Sequence, residues 1–233
     1  MTDLEEFQNQ IGVQFNDAKL LERAFIHRSY LNEHPKLGLE HNERLEFLGD
    51  AVLELVVTDY LYRNYAEPEG ILTNWRSALV KTESLAAVAS KLELSRHFKL
   101  SRGEAKGNVR SHALISANTM ESLIGAIYID QGYDAASDFI TKHIVSTLPE
   151  ILRTGTWMDP KSKLQELSQE REGLTPSYRV LEESGPDHDK TFTVGVFLGE
   201  KLMGQGQGSS KQAGQQAAAE AALKSYLKSK SPK

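Results

Sequence analysis

The sequence predicts an all-α domain followed by a small α+β domain, and two observations carry this prediction. Apolar residues recur at helical spacing through the first 150 residues, where no long alternation typical of a strand occurs. Behind them, three short alternating stretches lie between two helical segments, in the order α-β-β-β-α. We place the first domain at 1–153 and the second at 159–228.

The helices of the first domain are predicted from their periodicity and from the residues that start them. Asn16 or Asp17 can cap a short first segment. Pro68 suits the first turn of a later helix. Longer helices are predicted at about 40–62, 68–92, 111–129 and 134–152.

In the second domain, Asp159 and Pro160 form a strong helix start. A helix rich in alanine closes the domain from about Ser209 to Leu227. Between these helices, strands are predicted at 176–182, 191–198 and 201–204.

Composition excludes several classes of protein. The chain has no cysteine, which rules out disulfides, thiolate zinc sites and cysteine nucleophiles. Its first residues are acidic rather than arranged as a secretion signal, and its longest apolar stretches fall far short of the roughly 18 residues of a membrane span. We therefore expect a cytoplasmic protein that does not interact with membranes.

The net charge of −5 argues at first against binding to nucleic acid. The charge is unevenly divided, however: residues 156–233 carry 11 Lys and Arg against 10 Asp and Glu. The acidic excess therefore lies in the first domain, where carboxylates can hold metal ions or form an ordinary solvated surface.

A group of carboxylates in the predicted helix at 40–62 suggests a metal site. Glu43, Glu46 and Asp50 lie within about 60° of one another around a helix. Anionic oxygens are the ligands that Mg²⁺ requires. Spacing alone nevertheless favours a solvated acidic face, since Glu54 falls on the same side. The opposing stripe is apolar and consists of Leu45, Leu48, Val52 and Leu55.

Three segments resemble the ribonuclease III family. Residues 42–50, NERLEFLGD, resemble its signature stretch almost letter for letter, residues 24–30, AFIHRSY, its entry helix, and residues 120–126, MESLIGA, its second acidic helix. The α-β-β-β-α region is similar to a double-stranded-RNA-binding domain. The resemblance implies an all-α endonuclease domain followed by an RNA-binding domain.

The resemblance also implies an activity. Members of the family are Mg²⁺-dependent endoribonucleases, with Mn²⁺ as a possible substitute, that cut double-stranded RNA such as rRNA and mRNA precursors. They act as homodimers through the catalytic domain and leave 5′-phosphate ends. The implied metal ligands are Glu46, Asp50, Asn118 and Glu121, and the implied catalytic residues are Asp50, Glu121, Glu43 and Glu69.

One of these positions departs from the family pattern. Where the family usually has an aspartate, three residues before Glu121, this chain has Asn118. An amide oxygen can coordinate Mg²⁺ but adds no negative charge. The alternative to an active nuclease is therefore a double-stranded-RNA-binding protein with impaired cleavage.

The resemblance assigns RNA contacts to the second domain. Duplex RNA is recognised by shape, through 2′-hydroxyls and phosphates. The family usually has two basic residues at the start of the last helix, but here Lys211 is followed by Gln212. The implied RNA-binding residues are Ser162, Gln165, Glu166, His188, Ser209, Ser210 and Lys211.

Overall fold

The computed structural model describes residues 3–186 and 190–228. The chain divides into two compact units, Met1–Trp157 and Met158–Lys233. In the described ranges, no helix is both long enough and apolar enough to cross a membrane.

The first unit is helical, as predicted. Asp17 caps the second helix, its side chain accepting a hydrogen bond from the backbone N–H of Lys19 at 2.9 Å. The helices are α1 (Asp3–Ile11), α2 (Ala18–Ala24), α3 (Arg28–Glu33), α4 (Glu43–Asn64), α5 (Glu69–Val80), α6 (Thr82–Lys91), α7 (Val109–His143) and α8 (Leu148–Thr154).

The core of this unit is built around α4 and α7, which pack extensively on each other. Val52, Leu53 and Val56 of α4 share one buried cluster with Met120 and Leu123 of α7. Leu55 does not belong to this apolar face, contrary to the prediction, and its side chain is 57% exposed.

Several helix boundaries differ from the sequence prediction; the helix predicted at 134–152, for example, is interrupted between His143 and Leu148. The helix predicted at 68–92 is two helices, because Lys81 adopts an extended conformation (ψ 152°) between α5 and α6. Pro68 lies just before α5 rather than in its first turn. The gap predicted between 129 and 134 is a kink at Gly132, whose φ of 84° is one that glycine tolerates and other residues rarely adopt.

The second unit has the predicted α-β-β-β-α order. Its three antiparallel strands lie in the order β1-β2-β3, and the last helix packs on β2, β3 and the first helix of the unit. Leu164, Val196 and Ala218 are fully buried in its core. The elements are α9 (Pro160–Glu172), β1 (Ser177–Ser184), β2 (Thr191–Leu198), β3 (Lys201–Gly208) and α10 (Lys211–Lys228).

Strand β3 extends four residues beyond the predicted end at 204, through a segment with glycine at alternate positions. A Cβ on Gly204, Gly206 or Gly208 would come within 2.2–2.6 Å of atoms of α10. Because these glycines have no side chain, the helix lies directly against the strand.

Candidate active site and RNA-binding surface

The candidate active site lies where α4 and α7 come into backbone contact. A Cβ on Gly49 would lie 1.8 Å from the carbonyl oxygen of Glu121, and one on Gly125 would lie 2.2 Å from the carbonyl oxygen of Leu45. Only glycine fits at either position without moving a helix. The sequence analysis missed this role, although glycine within a predicted helix interior is itself a signal of close packing.

Asn42 holds the start of α4 in place, a second role that the sequence analysis missed. It is 2% exposed, and its backbone N–H donates to the carbonyl of Ile26 at 2.9 Å. Its side-chain amide donates to the carbonyl of Ala24 at 3.1 Å, and the hydroxyl of Ser122 on α7 donates to its carbonyl at 3.4 Å. The start of α4 is thus hydrogen-bonded both to the end of α2 and the residues after it, and to α7.

This crossing brings three carboxylates close enough to interact. Burial, followed by the charges of Asp50 and Glu46, raises the pKa of Glu121 to about 7. Burial also raises the pKa of Glu46, together with the charges of Glu43 and Asp50, while a hydrogen bond from the Asn118 side chain lowers it. The structure therefore places Glu46, Asp50 and Glu121 in one cluster, with Asn118 beside Glu46.

The donor groups of this cluster suit a hard divalent cation. Three carboxylates and one amide can supply oxygen ligands for such an ion, and its charge would offset the burial and the repulsion that raise the pKa of Glu121. Within the described ranges, no group of three or more His, Asp or Glu side chains already forms a metal-binding arrangement. The residue types themselves nevertheless suit a hard divalent cation.

The other two predicted catalytic residues are placed differently. Glu43 begins α4, and its carboxylate lies 3.3 Å from Arg28 and 3.8 Å from His41. Glu69 is exposed at the first residue of α5, where it lines a cleft of about 840 Å³ that includes Arg76. Glu54, which shares the acidic side of α4 by spacing, forms an ion pair with Arg76 at 3.1 Å.

On the second unit, the residues predicted to contact RNA on α9 lie together. Ser162, Gln165 and Glu166 line one surface depression of about 630 Å³. Asp159 caps this helix by accepting hydrogen bonds from the N–H groups of Lys161 and Ser162, at 3.0 and 3.1 Å. The predicted RNA-contacting residues therefore lie in the first two turns of a capped helix.

The residues predicted at the start of α10 are exposed. Ser210 caps the helix, with its hydroxyl accepting from the N–H of Ala213 at 3.1 Å. Lys211 forms an ion pair with Glu183 of β1 at 3.2 Å. Ser209 precedes the cap, and His188 lies outside the described residues.

Comparison with known proteins identifies both units. Residues 17–148 match the Ribonuclease-III-like family model, and residues 160–226 match the model of the double-stranded RNA binding motif. The chain is 41% identical to "Ribonuclease 3" of Latilactobacillus sakei over 91% of this chain and 92% of that protein. It is 45% identical to "Ribonuclease 3" of Carboxydothermus hydrogenoformans over 90% of each chain.

A solved structure agrees with these matches. The nuclease domain of ribonuclease III from Campylobacter jejuni is 34% identical, with a TM-score of 0.57, and the match covers 63% of this chain and 99% of that one. The chain therefore belongs to the ribonuclease III family of endoribonucleases, with a double-stranded-RNA-binding domain behind its helical nuclease domain.

Proposed function

We propose that this protein hydrolyses phosphodiester bonds of double-stranded RNA in a Mg²⁺-dependent reaction that leaves 5′-phosphate ends. The observation that carries the proposal is the cluster of Glu46, Asp50 and Glu121 at the α4–α7 crossing, where burial and the charges of Asp50 and Glu46 raise the pKa of Glu121 to about 7. Domain limits of 1–153 for the nuclease and 159–228 for RNA binding are part of the proposal.

Each residue of the cluster has a distinct part in the proposal. Glu46, Asp50, Asn118 and Glu121 would hold the metal, with Mn²⁺ as a possible substitute. A bound divalent ion supplies an activated water and stabilises charge on the phosphate. Asp50 and Glu121 would position the attacked phosphate through that ion, and the glycine contact holds the helices that carry them close together.

Glu43 and Glu69 belong to the proposal with different support. Glu43 is close enough to the cluster that, after burial, its charge raises the pKa of Glu46. Arg28 forms an ion pair with Glu43. Such a pair can orient RNA through the arginine. Glu69 is proposed as catalytic from the family resemblance, and its exposed place at the start of α5 leaves it accessible to RNA.

We propose that the second domain binds the RNA. Ser162, Gln165 and Glu166 would face a minor groove, and Ser209, Ser210 and Lys211 would face phosphates at the positive end of α10. His188 would contact a second minor groove. The natural substrates proposed from the family resemblance are rRNA and mRNA precursors in the cytoplasm.

A homodimer through the nuclease domain is also proposed. Phe47 of α4 is 82% exposed and lines a surface cleft of about 470 Å³ together with Ile129. An aromatic side chain as exposed as Phe47 is available to pack against a second subunit. The Campylobacter jejuni nuclease domain is described as having a region involved in dimer formation.

A second candidate function is RNA binding with impaired cleavage, and Asn118 is the observation that favours it. Its amide supplies a neutral ligand where a carboxylate would strengthen attraction for Mg²⁺. We favour the nuclease, because RNA binding alone gives no reason to hold Glu46, Asp50 and Glu121 together against their repulsion.

Incubation of the purified protein with long duplex RNA distinguishes the two functions. The proposal predicts fragments with 5′-phosphate ends in Mg²⁺ and intact RNA in EDTA. Binding of the RNA should be retained in EDTA. Duplex that is bound but stays intact at every Mg²⁺ and Mn²⁺ concentration would instead support the binding protein.

A further inference from the structure

Lys211 is the cation that the proposed function places against an RNA phosphate, and the structure shows what holds it. Its Nζ atom lies 3.2 Å from a carboxylate oxygen of Glu183. The same atom lies 5.7 Å from the centroid of the Phe192 ring. Glu183 and Phe192 are directly opposite each other on β1 and β2. Lys211 is thus held by an acid and an aromatic ring that form one cross-strand pair.

We infer that Glu183 lowers the affinity of this protein for duplex RNA by competing with a phosphate for Lys211. The inference rests on the proposed function, in which Lys211 contacts RNA. A phosphate can engage the ammonium group fully only if it replaces the carboxylate or shares the lysine with it. In the second case two anions lie side by side and repel each other.

Exposure makes this exchange possible without unfolding. The side chains of Lys211 and Glu183 are 61% and 40% exposed, so solvent and RNA can reach both. Ion pairs of this exposure change an equilibrium by about 1.5- to 5-fold. The next basic residue along α10 is Lys224, more than three helical turns away. Glu183 therefore acts on the basic side chain at this end of the helix.

The competition has a distinct salt dependence. Each lysine that neutralises a phosphate releases counterions, and the logarithm of affinity then falls by about 0.7–0.9 for each tenfold rise in salt. When Lys211 leaves Glu183, the freed carboxylate attracts a cation and offsets part of that release. Without the carboxylate, the logarithm of affinity should fall more steeply with the logarithm of salt concentration. The increase in slope should be at most about the 0.7–0.9 expected for one phosphate contact.

The test measures binding of the full chain to a duplex of about 16 base pairs, the length that one such domain spans, in EDTA over a range of salt. Glu183→Gln should bind about 2- to 5-fold tighter at low salt, with a steeper slope. The matched control is Glu200→Gln, which changes the net charge equally and opens a different ion pair of this unit, that with Arg179 at 3.4 Å.

Lys211→Met separates this inference from the proposed function. If Lys211→Met leaves affinity unchanged, the proposed phosphate contact is wrong, and the inference fails with it. If Lys211→Met weakens binding while Glu183→Gln matches Glu200→Gln, the inference alone is overturned. It is also overturned if Glu183→Gln weakens binding, or if its full gain persists when combined with Lys211→Met. Thermal unfolding of each variant verifies that the comparison is between folded proteins.

Discussion

Asn118 contributes an amide to a cluster whose other members are carboxylates. Burial and the charge of Glu43 raise the pKa of Glu46, and a hydrogen bond from the Asn118 side chain opposes that rise, so Asn118 stabilises the cluster without a metal. An aspartate at this position would replace that hydrogen bond with repulsion and add a charge for a metal ion. We therefore expect Asn118 to weaken metal binding relative to an aspartate at this position.

Replacing Asn118 with aspartate should strengthen metal binding. We expect Asn118→Asp to cleave duplex RNA at roughly tenfold lower Mg²⁺, which corresponds to about 1.4 kcal/mol, and to unfold at a lower temperature in EDTA. Mg²⁺ titrations of cleavage and thermal unfolding check both effects. Asn108→Asp is the control, because Asn108 caps the same helix, where an aspartate serves equally well. Superimposable titrations for Asn118→Asp and the parent would show that the amide is no handicap.

Glu121 makes the stability of the metal-free protein depend on pH. Its pKa is raised from 4.5 to about 7 by burial and by the charges of Asp50 and Glu46, so the folded protein binds this proton more tightly than the unfolded chain. The stability contributed by protonation is complete below pH 4.5 and is lost as the pH rises through about 7.

Glu121→Gln should therefore be more stable than the parent above pH 7 in EDTA. The expected difference is about 1–3 kcal/mol in the free energy of unfolding, and it should shrink as the pH falls toward 4.5. Denaturant unfolding across this range measures it. Glu150→Gln should show no such gain, because the hydrogen bond and charge of Arg153 lower the pKa of Glu150. A constant difference between Glu121→Gln and the parent at all pH values would contradict this account.

At the scale of elements, the site depends on how closely two helices approach. Periodicity predicted α4 as one helix and most of α7 as parts of two helices, because that signal is local. Their contact through Gly49 and Gly125 is a tertiary feature that spacing along one helix does not contain. Local signals also missed the break at Lys81 and the end of β3, where extended backbone and packing by α10 decide the boundary.

Gly49→Ala should damage both the fold and the site. The added methyl overlaps the backbone of α7, which costs about 1–3 kcal/mol or more and moves the carboxylates of α4 away from Glu121. Cleavage per folded molecule should fall, and thermal unfolding and activity assays measure the two effects. Gly70→Ala is the control, since its added Cβ meets open space in α5 and should be neutral or stabilising. Equal activity and stability in Gly49→Ala would rule out the close crossing.

At the scale of the whole molecule, the nuclease domain and the double-stranded-RNA-binding domain match separate compact units. The sequence motifs were sufficient to predict the family, because the signature stretch at 42–50 and the α-β-β-β-α order are both patterns of consecutive residues. The ion pair of Lys211 with Glu183 was not predictable in this way, since it joins the start of α10 to β1 across 28 positions. Separate units imply that cleavage and binding can be lost independently.

Cleavage of long duplex RNA by Glu121→Gln, with binding measured on the same protein, tests the central claim most directly. The account predicts that cleavage in Mg²⁺ falls by at least about 100-fold while the affinity for RNA in EDTA stays unchanged. Glu150→Gln, which makes the same chemical change on α8, outside the proposed cluster, should cut at the parent rate. Cleavage by Glu121→Gln at the parent rate in Mg²⁺ would contradict the assignment of the active site to the α4–α7 crossing.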